Sequence, residues 1–248
     1  MCIVTGVDAC CVPSIEKASA YKEYTILQYM ILPFDPTEFT LETSRPSAPL
    51  KLMRPKDPDS VLETITDEEY EKDKFLPYWA EIWPSSQSLY KYLLEEMNIG
   101  VDTGGHALEM GCGIGSISAL LASKGMYCTA ADISPQACMY ALYNMKNNGG
   151  IGSALCCDFR YPPLINNKFD LIIASDVLYE RRWIEPVLTF IQNMIAMNGQ
   201  ALIADPCRSH WEEFKITAEH RGMDVGVVKS EIINDGKTKI EILRIIRG

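Results

Sequence analysis

Basic residues are scarce in this chain: 23 Lys and Arg stand against 33 Asp and Glu, a net charge of −10. Such a balance leaves little with which to neutralise phosphates, so nucleic acid is excluded as the main partner. It permits a basic substrate, such as a lysine- or arginine-bearing protein. Histidine is scarcer still, with only His106, His210 and His220 in dispersed contexts. The nine cysteines are not few, but none forms a C-x-x-C pair and the neighbours Cys10-Cys11 and Cys156-Cys157 are not zinc spacing, so no metal site is expected. Their odd number and their apolar surroundings point to reduced thiols and a cytoplasmic location. Apolar runs are short; Leu171-Ile172-Ile173-Ala174 is far below the roughly 20 residues that span a bilayer. A basic segment followed by an apolar one is also missing near Met1, so no leader and no membrane association are expected.

What is present is organised around Ala107-Leu108-Glu109-Met110-Gly111-Cys112-Gly113-Ile114-Gly115. A short apolar run ends in an acid, three glycines follow at alternate positions, and Ser116 to Leu121 continues at helical spacing. That is strand, tight turn and helix. The helix start offers free N–H groups and the positive end of a dipole, as a nucleotide-type cofactor needs. Downstream, strands and helices alternate. Strands are expected at 126–131, 153–157, 169–175 and 200–204, with helices between them starting near Ser134-Pro135 and Trp183. Ser209 and Glu212 have capping-box spacing for a further helix, and 224–230 with 239–246 read as a terminal hairpin. Ahead of the glycines, Pro84 starts a helix carrying Leu89, Leu93 and Met97. Residues 21–45 suggest a hairpin turning at Pro33-Phe34-Asp35-Pro36, and the prolines between Arg45 and Asp59 forbid a long helix or a central strand. The expectation is an N-terminal extension over 1–75 and an α/β domain over 76–248. That domain is a Rossmann-like, doubly wound, mostly parallel seven-stranded sheet with an antiparallel C-terminal hairpin.

Acids recur where these strands end: Glu109, Asp132, Asp158, Asp176 and Asp205. In such a sheet, ligands bind at the carboxyl ends of the strands. A dinucleotide G-x-G-x-x-G would need glycine at 116, which is Ser116. Pyrophosphate would be ill served by so many carboxylates, whereas a phosphate-free, cationic cofactor suits them. S-adenosyl-L-methionine has both properties, and Asp132, 17 residues after Gly115, is placed to take a ribose diol.

The glycine stretch, Asp132, the Cys157-Asp158 turn and Asp170-Leu171-Ile172-Ile173-Ala174-Ser175-Asp176 resemble the motifs of class I, seven-β-strand S-adenosylmethionine-dependent methyltransferases over residues 75–248. Asp176-Val177-Leu178-Tyr179 is similar to the D-x-x-Y motif of the family-16 protein-lysine methyltransferases. Asp205-Pro206-Cys207-Arg208 is similar to a D-P-x-R stretch of their flavoprotein-subunit branch, with cysteine where glycine is usual. The resemblance implies that Gly111, Cys112 and Gly113 receive the methionine part of the cofactor, with Glu109 orienting its amino group. It gives the ribose to Asp132 and the adenine to Asp158 and Phe159, and it makes Trp83 a pocket wall and Ser175 a small residue beneath the cofactor. It makes Asp176 and Tyr179 the catalytic pair that handles the acceptor. Blander roles stand beside these: Trp79, Trp83 and Phe159 also fit as core aromatics, and Asp176 as a helix cap. A protein lysine is the expected acceptor. A small-molecule amine, or a cofactor-binding module without turnover, remains an alternative, and the sequence is silent on oligomeric state.

Overall fold

The computed structural model describes residues 3–5, 31–41, 49–73, 76–97, 104–161, 169–233 and 236–248. Ten strands are present among them: β1 Ile3–Thr5, β2 Pro36–Phe39, β3 Leu52–Pro55, β4 His106–Met110, β5 Tyr127–Asp132, β6 Gly152–Cys156, β7 Phe169–Ser175, β8 Ile195–Asp205, β9 Met223–Ile233 and β10 Thr238–Arg247. Five longer helices are α1 Pro84–Lys91, α2 Ser116–Ser123, α3 Pro135–Asn147, α4 Ile184–Met194 and α5 Trp211–His220.

Eight strands form one sheet in the order β1-β6-β5-β4-β7-β8-β10-β9. The β4–β5, β5–β6, β4–β7 and β7–β8 pairs are parallel, and β10 lies antiparallel between β8 and β9. These are the seven expected strands. The eighth, β1, adds antiparallel to β6 at the edge, in a region without readable periodicity. From β4 the chain winds outward through β5 and β6, then returns to the other side of β4 as β7. That reversal opens a crevice at the carboxyl ends of the central strands.

The strands read as continuous apolar runs because both faces of the sheet are covered. Successive side chains alternate between two cores. Ala107, Leu171, Ile173 and Leu202 pack with Leu89, Ile117 and Leu121 on one face. Leu108, Ile172, Ile203 and Ile245 pack with Phe190, Trp211 and Phe214 on the other. Helix α1 starts at Pro84 as expected and runs on through a π-helical turn, Tyr92–Glu96, which keeps Leu93 fully buried.

Three boundaries differ from the sequence expectation. Strand β8 begins at Ile195 rather than Gln200, because Ile195 is buried in register with Phe169 and a register shift there absorbs Asn198-Gly199. Helix α5 begins at Trp211 without a side-chain cap, so the Ser209–Glu212 box does not form; its first turn is set instead by Trp211 N–H donating to Arg208 C=O at 2.8 Å. Near the N-terminus, β2 and β3 pair as a separate two-stranded sheet. The first arm of the hairpin expected over 21–45 lies almost wholly outside the described residues. The turn through Phe34 and Asp35 is present, both residues having positive φ, but it leads into a hairpin whose returning strand is Leu52–Pro55.

That small sheet is fixed to α3 by Asn144. Its side chain is fully buried, donates to Met53 C=O at 2.9 Å and Ile114 C=O at 2.8 Å, and accepts from Met53 N–H at 2.7 Å. Tyr140 O–H donates to Pro33 C=O, and Asn147 and Asn148 both donate to Lys51 C=O. Among the described residues no helix is long and apolar enough to cross a membrane. The six described cysteines form no disulfide. Replacing Asn144 by alanine strands three buried or partly buried backbone groups, so Asn144→Ala is expected to lower unfolding free energy by about 3 kcal/mol, measured by urea denaturation.

Candidate active site

The chain leaves β4 through the glycine turn, and two contacts there explain the residue type. A Cβ on Gly113, whose φ is +51°, would sit 2.8 Å from Trp79 C=O. A Cβ on Gly115, whose φ is +72°, would sit 2.4 Å from Ala141 Cβ, where α2 packs on α3. The third glycine therefore serves helix packing, while Gly113 lies at the cavity. Asp132 ties this turn to the next crossover: one carboxylate oxygen accepts from Gly113 N–H at 3.0 Å and the other from Ser134 N–H at 2.9 Å. Burial pushes its pKa up, against these backbone donors.

A cavity of about 310 Å³ opens at the strand ends. Of the residues expected there, Trp83, Gly111, Cys112, Gly113, Asp132, Asp158, Phe159, Ser175, Asp176 and Tyr179 all line it. Glu109 does not. Its carboxylate is turned into the protein, 3% exposed, and accepts from Ser118 N–H at 2.8 Å and Ser118 Oγ–H at 2.5 Å. Glu109 precedes Met110, and alternation sends it to the α2 face of the sheet, where it holds the first turns of that helix. Asp205 is also outside the lining, accepting from Arg208 N–H at 2.9 Å.

Other side chains join the cavity that the sequence expectation did not include. Tyr78 and Trp83 meet edge to face, with centroids 5.7 Å apart, and Trp83 Nε1–H donates to Tyr78 C=O at 3.3 Å. Trp183 is buried between Phe159 and Tyr179, and its Nε1–H has no partner among the described residues. Arg208 enters from the loop after β8 and donates to Asp176 Oδ1 at 2.8 Å and to Asp205 Oδ2 at 2.6 Å. The sequence signal for Arg208 was its place in the D-P-x-R stretch, three residues after a strand-end acid. Cys207, beside it, has φ +54°, which explains why glycine is the usual residue at that position of the similar motif. None of the described residues before Leu76 lines the cavity; the β2–β3 region supports Trp79 from behind, with Phe34 at 6.0 Å.

Charge in the cavity is lopsided. Among the described residues, Glu81, Asp132, Asp158 and Asp176 face it, against the single cation Arg208, which is already shared by two carboxylates. Burial raises the pKa of Asp176, with Arg208 and the neighbouring Ser85 pulling the other way. No hydrogen bond with Ser85 of good geometry forms, and both Asp176 Oδ2 and Ser85 Oγ are without a partner among the described residues. Burial also opposes ionisation of Asp158, but Arg160 outweighs it through side chain, backbone N–H and charge, so the Asp158 pKa is lowered. Arg160 Nε donates to Asp158 Oδ2 at 2.9 Å, so an adenine amine would share this carboxylate with Arg160. Burial pushes the Cys112 thiol well up, which leaves it protonated and unsuited to nucleophilic work. Among the described residues no cluster of His, Cys, Asp or Glu could hold a metal ion.

In a doubly wound sheet the crevice at the switch point is where ligands bind, and here it is lined by acids. Residues 108–203 match the methyltransferase domain family. The electron transfer flavoprotein beta subunit lysine methyltransferases of Danio rerio and Mus musculus are 31% and 33% identical over 142 and 149 residues, each match covering 56% of this chain and 54% of the relative. The chain thus spans about half the length of these curated relatives. The N-methyltransferase NodS of Bradyrhizobium japonicum, solved with S-adenosyl-L-homocysteine, superposes with a TM-score of 0.54 at 17% identity, over 75% of this chain and 94% of that one; this likeness concerns the fold. Sheet order and strand-end crevice are those of the Rossmann-like fold that the solved methyltransferase shares, and the stretch matching the methyltransferase domain supplies the central strands β4 to β7 and most of β8.

Burial of Glu109 generates a prediction. Burial, opposed by Ser118 and assisted by the Asp132 charge, pushes its pKa from an ordinary 4.5 up to about 7. The folded state therefore holds a proton between these values that the unfolded chain has released. Stability falls as pH rises through this window and stays low above it. Glu109→Gln is expected to remove the fall and to exceed the parent at pH 8 by on the order of 3 kcal/mol, read from denaturation curves at pH 5 and pH 8.

Proposed function

We propose that this protein transfers a methyl group from S-adenosyl-L-methionine to the side-chain nitrogen of a lysine in a protein acceptor. The observation that carries this reading is the cavity's charge: four carboxylates and one committed guanidinium, reached past half-exposed aromatic rings. A phosphate-bearing dinucleotide would find no uncommitted cation among the described lining residues, whereas a sulfonium and an incoming ammonium are both matched by it.

The cofactor supplies an electrophilic methyl group on a sulfonium centre. In this reading Gly111, Cys112 and Gly113 offer backbone to its methionine part, and Glu109 acts on that part only through α2 and the glycine turn. Each Asp132 oxygen accepts one backbone N–H, and a carboxylate has further lone pairs for a ribose diol. Phe159 and Asp158 bound the adenine side, with Ser175 leaving room below. Tyr78, Trp83 and Tyr179 are 42%, 38% and 40% exposed. Such faces attract an alkylammonium while stripping water from it, and loss of water lowers the lysine pKa toward the neutral amine that reacts. Asp176 orients the nitrogen and accepts its proton.

The names of the relatives support a protein lysine over a free amine, and make an electron transfer flavoprotein beta subunit the first acceptor to test. The division at residue 75, with acceptor contacts starting at Leu76, belongs to this proposal, as does a reducing, cytoplasmic setting for the cysteines.

Calorimetry with S-adenosyl-L-methionine should give binding that Asp132→Ala weakens at least tenfold. Absence of binding by the parent protein refutes the reading. With labelled cofactor and a cell lysate, a discrete protein band should be labelled. Asp176→Ala should lower that label at least a hundredfold while leaving cofactor affinity within about threefold. Label confined to small molecules would instead favour a free amine as acceptor.

A further inference from the structure

Asp176 is an unusual place for a substrate-handling carboxylate. Its backbone is left-handed, with φ +57°, and its N–H donates to Ala204 C=O at 3.1 Å. The side chain is only 8% exposed. A carboxylate in that setting, beside a second buried carboxylate, has every reason to protonate or to turn away. One side chain opposes both. The Arg208 guanidinium spans Asp176 Oδ1 and Asp205 Oδ2 with separate N–H groups, and Asp205 is in turn held by Arg208 N–H. Asp176 Oδ2 is enclosed and, like the neighbouring Ser85 Oγ, has no hydrogen-bond partner among the described residues. Cys207 accepts a left-handed backbone of its own in the residue that launches Arg208.

We infer that Arg208 is a positioning residue for the acceptor: by bonding Asp176 Oδ1 from an anchor on Asp205, it fixes the orientation of the Asp176 carboxylate at the cavity wall and keeps it charged. This rests on the proposed reaction but reaches past the D-x-x-Y pair, since it makes the aspartate of that pair dependent on a residue 32 positions later. The guanidinium fork suits the task because it bonds two carboxylates at once, which an ammonium point charge does less well. The groups facing Asp176 are Arg208, Asp205 and Ser85; the other carboxylates of the cavity are Glu81, Asp132 and Asp158, and its phenols are Tyr78 and Tyr179.

The test needs no acceptor. With carboxyl-labelled aspartate, the Asp176 midpoint is followed by NMR in the full chain and identified by its absence in Asp176→Asn. In Arg208→Gln the midpoint should rise by about one unit or more, since a buried carboxylate loses its counter-charge. In Asp205→Asn it should fall, because the repelling neighbour is gone and the guanidinium serves Asp176 alone. Opposite shifts are what the bridge demands. A shift below about 0.3 unit in either variant, or shifts of one sign, overturns it. Should the glutamine variant not fold, Arg208→Lys carries the same test, with a smaller rise expected. In the lysate assay, Arg208→Gln should lose label at least tenfold with its acid limb moved to higher pH, and Arg208→Lys should recover part of it. Failure of the parent protein to label any acceptor would count against the proposed reaction alone, because the titrations stand without it.

Discussion

The hold of Asp132 on two backbone N–H groups is the interaction on which the rest of the site depends. It joins the turn after β4 to the turn after β5, so two crossovers that could each settle separately are locked into one floor. Without that link, the glycine turn would lose the carboxylate against which it folds, and α2 and α3 would meet the sheet at unrelated heights. The cost is a buried acid whose charge is opposed by its surroundings. It is met by backbone dipoles rather than by a cation, which keeps the floor negative and open to a positive ligand.

Much of this was legible in the chain itself. Short apolar runs and period-3.6 patterns, with Pro135 and Pro84 at helix starts, place the elements that matter, because both faces of the sheet are covered and most buried positions are apolar. The strand-end acids were legible for the same reason: an ionisable residue closing an apolar run stands out. What was harder to read depends on side-chain direction. Glu109 looked like the other four acids, yet strand alternation turns it under α2, where Ser118 holds it. Asp205 looked equivalent to Asp176, yet Arg208 makes one the anchor and the other the anchored group.

The helix boundaries tell a similar story. Ser209 and Glu212 have the spacing of a cap, but local spacing competes with longer-range commitments. Arg208 is drawn to Asp176, and the His210 ring bonds Leu178 C=O at 2.5 Å. Both contacts tie the residues before α5 to the D-x-x-Y loop, so the helix starts where those obligations end. Tertiary contacts that serve the cavity override the local signal, and no pattern within ten residues could have announced it.

The half-exposed rim has a consequence for how such a scaffold can change. Floor positions such as Gly113 and Gly115 face neighbours closer than 3 Å to any added side chain, and substitution there is punished at the level of folding. Tyr78, Trp83 and Tyr179 are bound by no such geometry: more than a third of each is in solvent, so exchanging one removes little from the core. In the proposed reaction, selection on the choice of acceptor acts on the rim almost independently of selection for a folded floor. Lineages sharing this floor are free to diverge in what they modify.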